Sequence, residues 1–540
     1  MRKVSVFTVT MISVLIALAE VPRMSLRLSG NNHSNDFIWA ATFKAIAENP
    51  GCCDEVWFST GVGFPELSWH RENANRLLRY AEQLRKLKVK PSLQFQATLG
   101  HGDLPSIKDH CQGKHWRGFT GRKGVECISC NCPRQPAFLQ YVKEAAKMYA
   151  ELHPATMWID DDLRIDNHRP AALWQEAETN YGCWCEDCIA AFNAKTGGKW
   201  TRESLDAAFD SDEALRESWK QFNVEAVCEV ARVIGREFVC ISPETTLGIQ
   251  HATREYVSSI IAALHEVSGK SVGVRPGGGA YYELDVRSQI YKSMNCVKAI
   301  HEWNKPACVS IWTPEVETWP RAYASRSAQS IIIEAFAALA YGMNSASFYV
   351  MDSKVEAMPL YSKKFLKPLA DASSVLKEYA RQSDFLEPVG VGVGSIKLDD
   401  AYRFALSGVP VTFNGNSELT EEEVAFPYYF NGTKKIQEFR DKFDEKISLM
   451  PAKLIGPFVG LMIPKVNKKG ELKTIALINT LIDAQEEVVI RLKKCPASKK
   501  VCWHELRREV KELTLEMDGD GAKVVIPSIG AWNGGFLSFE

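Results

Sequence analysis

From about Met24 to Asp352 the chain alternates short apolar runs with amphipathic stretches of helical period. The runs are "MSLRLSG", "DEVWFSTGVG", "KPSLQFQATLG", "ATMWIDDD", "TTLGIQ", "SVGVRPGGG", "ACVSIWTPE" and "SASFYVMD". Patterns such as "RENANRLLRYAEQLRKL" and "SRSAQSIIIEAFAALAYG" lie between them, the second closed by Gly342 just past its end. Eight strand-then-helix units over roughly 330 residues predict a (β/α)8 barrel with insertions, a TIM barrel, with a doubly wound open sheet as the alternative. After Asp352 the rhythm changes: a helical stretch runs to about 385, and a few short strands lie around "VGVGSIKL" and "GVPVTF". The runs "GPFVGLMIP", "KTIALINT", "EEVVIRL", "KVVIPSI" and "GFLSFE" follow. The predicted division is therefore a barrel over 20–385, a short α/β remnant or linker over 386–451, and an antiparallel β-sandwich over 452–540.

Arg2-Lys3, an apolar run from Val4 to Ala19 and the closing "ALA" fit a secretory signal peptide over 1–19, with a buried first element of the fold as the other reading. A signal implies a secreted or periplasmic protein, and its absence a cytoplasmic one. No other run approaches the ~18 apolar residues a membrane helix needs, so no membrane partner is expected after cleavage. Lys plus Arg total 65 against 66 acids, and loss of Arg2 and Lys3 leaves 63 (65 − 2). Such a balance offers no field for nucleic acid.

In a barrel of this kind the chemistry sits at the C-terminal ends of the strands, so the residues just after each apolar run matter most. Two acidic groups stand there: Asp160, Asp161 and Asp162 after the fourth run, and Glu315 and Glu317 after the seventh. A pair of carboxylates facing each other across the mouth is the equipment of a glycosidase, one protonating the leaving oxygen and the other attacking the anomeric carbon or activating water. If the fourth strand continues through the aspartates, Asp160 and Asp162 share one direction, as Glu315 and Glu317 do. Trp158, Trp312 and Trp319 beside them suit the apolar face of a sugar ring. The plainer reading pairs these carboxylates with Arg164, Arg275 or Arg321, or with calcium. "RPGGG" lacks the spacing of a dinucleotide fingerprint, so no organic cofactor is expected.

There are 15 cysteines, seven of them between Cys111 and Cys188. Cys183, Cys185 and Cys188 form C-x-C-x-x-C at the start of a helix, a pattern that suits tetrahedral zinc. Cys132 is the leading fourth ligand, with Cys127 and Cys130 as competitors.

At "CNCPRQPAFLQYV", "WIDDDLR" and "CWCEDCIAAFNA" followed by "TRESLDAAF", the chain resembles glycoside hydrolase family 42, the β-galactosidases with a zinc-cysteine cluster. The resemblance covers about residues 90–210. It implies a retaining exo-β-glycosidase acting on oligo- or polysaccharide, β-galactoside first and β-mannoside second, with acid/base after strand four and nucleophile after strand seven. The acid/base position falls on Asp162, where that family has glutamate, and the preceding asparagine on Asp161. The nucleophile falls on Glu315 in preference to Glu317. His101, Asp161, Arg275, Tyr281, Trp319 and Asp352 are the expected sugar contacts, and a structural zinc on Cys132, Cys183, Cys185 and Cys188 would fasten the insertion. That family's trimerisation domain has no room in 386–435, so a homo-oligomer is only a possibility. The rivals are a barrel that binds carbohydrate without catalysis and a metal-dependent hydrolase using the aspartates.

Overall fold

The computed structural model describes residues 21, 23–96, 98–100, 111–165, 181–252, 254–277, 288–303, 308–318, 325–351, 354–394, 396–413, 433–446, 450–496 and 500–539. The expected signal segment, and with it His101, Tyr281, Trp319, Arg321 and Asp352, lies outside them. In chain order the first strands are β1 (Met24–Arg27), β2 (Glu55–Ser59) and β3 (Lys90–Phe95), then β4 (Gly118–Thr120) and β5 (Glu126–Asn131), which form a hairpin. Then come β6 (Thr156–Ile159), β7 (Thr246–Ala252), β8 (Val272–Gly277), β9 (Val309–Trp312), β10 (Glu315–Glu317) and β11 (Ala346–Tyr349).

All the strands except the hairpin form one parallel sheet in the order β10-β11-β1-β2-β3-β6-β7-β8-β9. Its two edges are the halves of a single run. β9 pairs with β8, β10 pairs with β11, and only Thr313 and Pro314 separate them. The sheet thus closes into an eight-stranded barrel whose strands are the eight apolar runs. The break has a local cause: proline has no N–H to give the ladder and forces the chain to change partner. Accordingly Thr313 N still donates to Val274 O (3.1 Å) on the β8 side, while Pro314 O accepts from Ser347 N (3.4 Å) on the β11 side.

The barrel interior is layered. Near the N-terminal ends, Glu55 takes hydrogen bonds from Ser25 Oγ (2.5 Å), Trp57 Nε1 (2.6 Å) and Ser92 Oγ. Above it Trp57 and Trp158 stack with ring centroids 4.5 Å apart beside Ile311. The strands facing this pair make room for it with glycine. A Cβ on Gly248 would stand 2.6 Å, and one on Gly273 2.7 Å, from the Trp158 ring. Gly248→Ala is therefore expected to destabilise the fold by about 1–3 kcal/mol, read from the denaturant midpoint, because the indole has no room to retreat in a packed layer.

The helix Ala328–Ala340 is buried all round because it lies between barrel and sandwich. Ser327 caps its start by accepting from Ser330 N, and Gly342 with φ +122° follows its end. Lys465 of the sandwich donates to Leu339 O (2.9 Å), and Gln329 Nε2 donates to Trp532 O (3.0 Å) and Asn533 Oδ1 (3.0 Å). The sandwich itself is a six-stranded and a four-stranded antiparallel sheet, closed over Leu454, Ile475, Leu477, Ile490, Trp503 and Val524. Before it, Val391–Gly392 pairs in parallel with Val411–Thr412 around the helix Leu398–Ala405, and the helix Thr433–Lys446 follows.

Candidate active site and metal centre

The strand carrying the aspartates does not continue through them. β6 ends at Ile159, and although Asp160 N still donates to Phe95 O (3.0 Å), the chain then turns, with Leu163 N reaching Asp160 O (3.3 Å) and Arg164 N reaching Asp162 O (3.0 Å). Alternation therefore stops at Asp160, and the expected shared direction of Asp160 and Asp162 has no strand to enforce it. The turn instead gathers the three carboxylates, each offering an oxygen within 4.8 Å of the others. Asp160 faces inward, accepting from Gln94 Nε2 (2.5 Å) and Gln96 Nε2 (3.3 Å). Asp161 pairs with Arg164 at 2.9 Å, and Asp162 is buried.

Opposite this turn, Glu315 and Glu317 lie on one side of β10, and both are buried. Arg275 Nη1 and Arg27 Nη1 (3.2 Å) both donate to Glu315 Oε1. The second oxygen, Oε2, lies beside Gly277, where a Cβ would stand only 3.0 Å from it. Arg275 also donates from Nε and Nη2 to Gln250 Oε1 (3.1 and 2.8 Å). Arg27 is the centre of the arrangement. Its guanidinium lies over the Tyr349 ring at 4.7 Å and donates from Nε to Gln94 Oε1 (2.7 Å). It also stands 3.7 Å from Asp160, 3.2 Å from Glu315 and 3.9 Å from Glu317. One cation thus touches carboxylates of both acidic groups, so the two groups face the same mouth.

Burial and the Glu315 charge push the Glu317 carboxyl up to about 7, against the lowering pull of Arg27, Lys292 and Arg275. A proton held more tightly in the folded state makes stability fall as pH rises from about 4.5, the usual value, to about 7, and the contribution is whole below that window. The span is worth on the order of 3 kcal/mol. Thermal unfolding between pH 4 and 8 is expected to show this decline in the wild type, and Glu317→Gln is expected to flatten it.

Two expected aromatic platforms have other roles. Trp158 is the floor beneath the charged layer, and Trp312, next to the inward Ile311, turns outward against His301 (centroids 5.9 Å). Arg27, Gln94, Gln96 and Tyr349 were missing from the expected contacts. Their signal was present: Arg27, Gln94 and Tyr349 stand at inward positions of their strands, Gln96 follows β3 two residues after Gln94, and Arg27 is a lone charge in an apolar run.

Two segments carry the cysteines: the insertion between β3 and β6 holds Cys132, and the segment between β6 and β7 holds Cys183, Cys185 and Cys188. The β4–β5 hairpin is tied to the next loop by Trp184 N to Thr120 O (2.7 Å) and Thr120 N to Cys183 Sγ (3.3 Å). Cys185 caps the helix Glu186–Thr196, whose first turn brings Cys188 round to the same side. The sulfurs of Cys132, Cys183, Cys185 and Cys188 are buried within 4.8 Å of one another, with Cys132 Sγ 3.7 Å from Cys185 Sγ and 3.4 Å from Cys188 Sγ. Around a tetrahedral ion bound at ~2.3 Å, thiolate sulfurs stand about 3.8 Å apart. The quartet could therefore hold a metal ion, and Cys127 and Cys130 stay outside it. A separate apolar cluster that includes Phe119, Trp184, Phe192, Phe209, Trp219 and Phe222 surrounds it.

Neither protein-family models nor curated proteins give a match to this chain. Solved structures do. A catalytic mutant of Gan42B, a GH42 β-galactosidase from G. stearothermophilus, aligns with a TM-score of 0.59 at 10% identity, over 96% of this chain and 98% of that one. A β-galactosidase from Rahnella sp. R3 gives 0.57 at 11% identity, over 96% and 98%. The α-L-fucosidase isoenzyme 2 of Paenibacillus thiaminolyticus gives 0.55 at 9% identity, over 96% and 100%. At these identities the likeness is one of fold, and it runs through barrel and sandwich together. Among the described residues, no helix is long and apolar enough to cross a membrane.

Proposed function

We propose that this chain is a retaining exo-β-glycosidase that hydrolyses terminal β-linked hexosides, β-galactosides first and β-mannosides second. The observation that carries the reading is Arg27, which contacts Asp160 from the turn after β6 together with Glu315 and Glu317 of β10. A nucleophile must be ionised and must have an oxygen to spare. Glu315 is the carboxylate that fits, since two guanidiniums hold Oε1 while Oε2 lies beside Gly277. In the proposed reaction Glu315 Oε2 bonds to the anomeric carbon as the bond to the aglycone oxygen breaks and Asp162 gives that oxygen its proton. Asp162 then takes a proton from water, which attacks the anomeric carbon and frees Glu315. The cysteine quartet is proposed to hold a structural zinc that takes no part in these steps.

One observation favours a second assignment of the proton donor. Glu317 is the acid pushed up to about 7, the value a general acid needs near neutral pH. Azide separates the two. With 4-nitrophenyl β-galactoside, β-mannoside, β-glucoside and β-fucoside as substrates, Asp162→Ala is expected to lose activity and to recover turnover with azide, forming the glycosyl azide. Recovery in Glu317→Ala instead would move the role to Glu317. Measurable sugar binding without turnover of any of the four would favour a non-catalytic barrel. Loss of turnover on chelation with the fold intact would favour metal-dependent hydrolysis.

A further inference from the structure

Behind β10 lies a buried set of charges that the proposed reaction does not use. Glu334, on the helix Ala328–Ala340, is fully buried and pairs with Lys292 at 3.1 Å and Arg326 at 2.7 Å, both almost fully buried. Lys292, on the helix Ser288–Trp303, also donates to Glu315 O (2.5 Å), and Arg326 Nη1 donates to Glu317 O (3.0 Å). These two carbonyls need such partners because of the strand break. On β10 the carbonyls of Pro314 and Val316 face β11, so those of Glu315 and Glu317 face β8. The pairing of β8 with its neighbour ends at Val274 and Trp312, which leaves that edge without a ladder. Two cations stand where a strand would have donated.

The charge count gives the set a second consequence. Among the described residues this set holds two cations and one carboxylate, and a buried excess charge is costly unless something answers it. What lies in front is Glu315 and Glu317. We propose that Lys292, Arg326 and Glu334 form a clamp that fixes the β10 carboxylates in register and sets a cationic background behind them, making all three positioning residues for the hydrolysis. The proposal rests on the reading of Glu315 as nucleophile. The other groups facing these carboxylates are Arg27 from β1, Asp160 from the turn after β6, Arg275 from β8 and Tyr349 from β11. Cys296, on the same helix as Lys292, is pushed up to about 12 by burial and stays neutral.

A purely structural cross-link and a clamp differ in how pH dependence responds. In the full chain, Lys292→Met removes a cation and Glu334→Gln removes an anion, so the two variants are expected to move the acid limb of kcat/KM in opposite directions, up for Lys292→Met and down for Glu334→Gln. Lys292→Met is expected to lower kcat by about 10²-fold through misplacement of the strand, with KM changed less than about two-fold, and Lys292→Arg to recover most of the loss. Limbs that stay in place in both variants, or move together, would overturn the clamp. If Lys292→Met does not fold, the Glu334→Gln limb decides alone. Titration of 13C-glutamate-labelled wild type and Glu334→Gln by NMR reads the same shift without substrate. A downward shift of a buried glutamate in a protein that turns over no glycoside would keep the clamp and discard the hydrolase reading; turnover without that shift would do the reverse.

Discussion

Glu315→Gln is expected to leave the protein folded, able to bind sugar, and slower on 4-nitrophenyl β-galactoside by on the order of 10⁴ in kcat, or about 5.5 kcal/mol of transition-state stabilisation. The amide keeps the shape of the carboxylate and its contacts with Arg275 and Arg27, but it has no anionic oxygen to bond to the anomeric carbon. The loss should appear in kcat and not in KM, because the missing bond exists only after the ground state. Glu317→Gln is expected to cost far less. A loss confined to KM in Glu315→Gln would mean that Glu315 only helps to bind, and equal losses in both variants would mean that the two carboxyls act as one unit.

The second large effect concerns the insertion. Cys188→Ser is expected to abolish binding of one zinc per chain, measured by mass spectrometry under native conditions. It should also open the hairpin Gly118–Asn131 and the helix Glu186–Thr196 to protease while leaving the barrel resistant. The cost is several kcal/mol, since a structural zinc in a small peptide site supplies about 10 kcal/mol or more. The cluster around Trp184 and Trp219 gives the insertion an apolar core of its own, so the damage should stop at its border. Zinc-free protein with unchanged protease resistance would show that the four thiols need no metal to hold this segment.

The barrel was legible because its strands are buried on both faces and read as continuous apolar runs, most of them cut off by glycine, proline or acid. The seventh run shows the limit: "ACVSIWTPE" reads as one strand, and only the partners on either side reveal that Pro314 hands it from β8 to β11. The cysteine quartet was legible by spacing for three of its members. The fourth, Cys132, is distant in sequence, and its choice over Cys127 and Cys130 depends on how the hairpin folds back, which spacing does not encode. The acids were visible, but their partners were not. Arg27 is separated from Glu315 by the whole barrel sequence, and the burial of Lys292, Arg326 and Glu334 becomes affordable only because three elements bring them together. Trp158 looked like a sugar platform because its strand position was right. It is a core residue because Gly248 and Gly273, on the two next strands, leave a slot its own size.

The central claim is that Glu315 bonds covalently to a sugar in a pocket formed by both acidic groups. Incubation of the full chain with 2,4-dinitrophenyl 2-deoxy-2-fluoro-β-galactoside and its mannoside counterpart, followed by peptide mapping, tests it directly. The predicted result is one fluoroglycosyl group per chain on the peptide containing Glu315, located on that residue by fragmentation. A label on Glu317, or no label from either reagent in a protein that does cleave the parent glycosides, would contradict it.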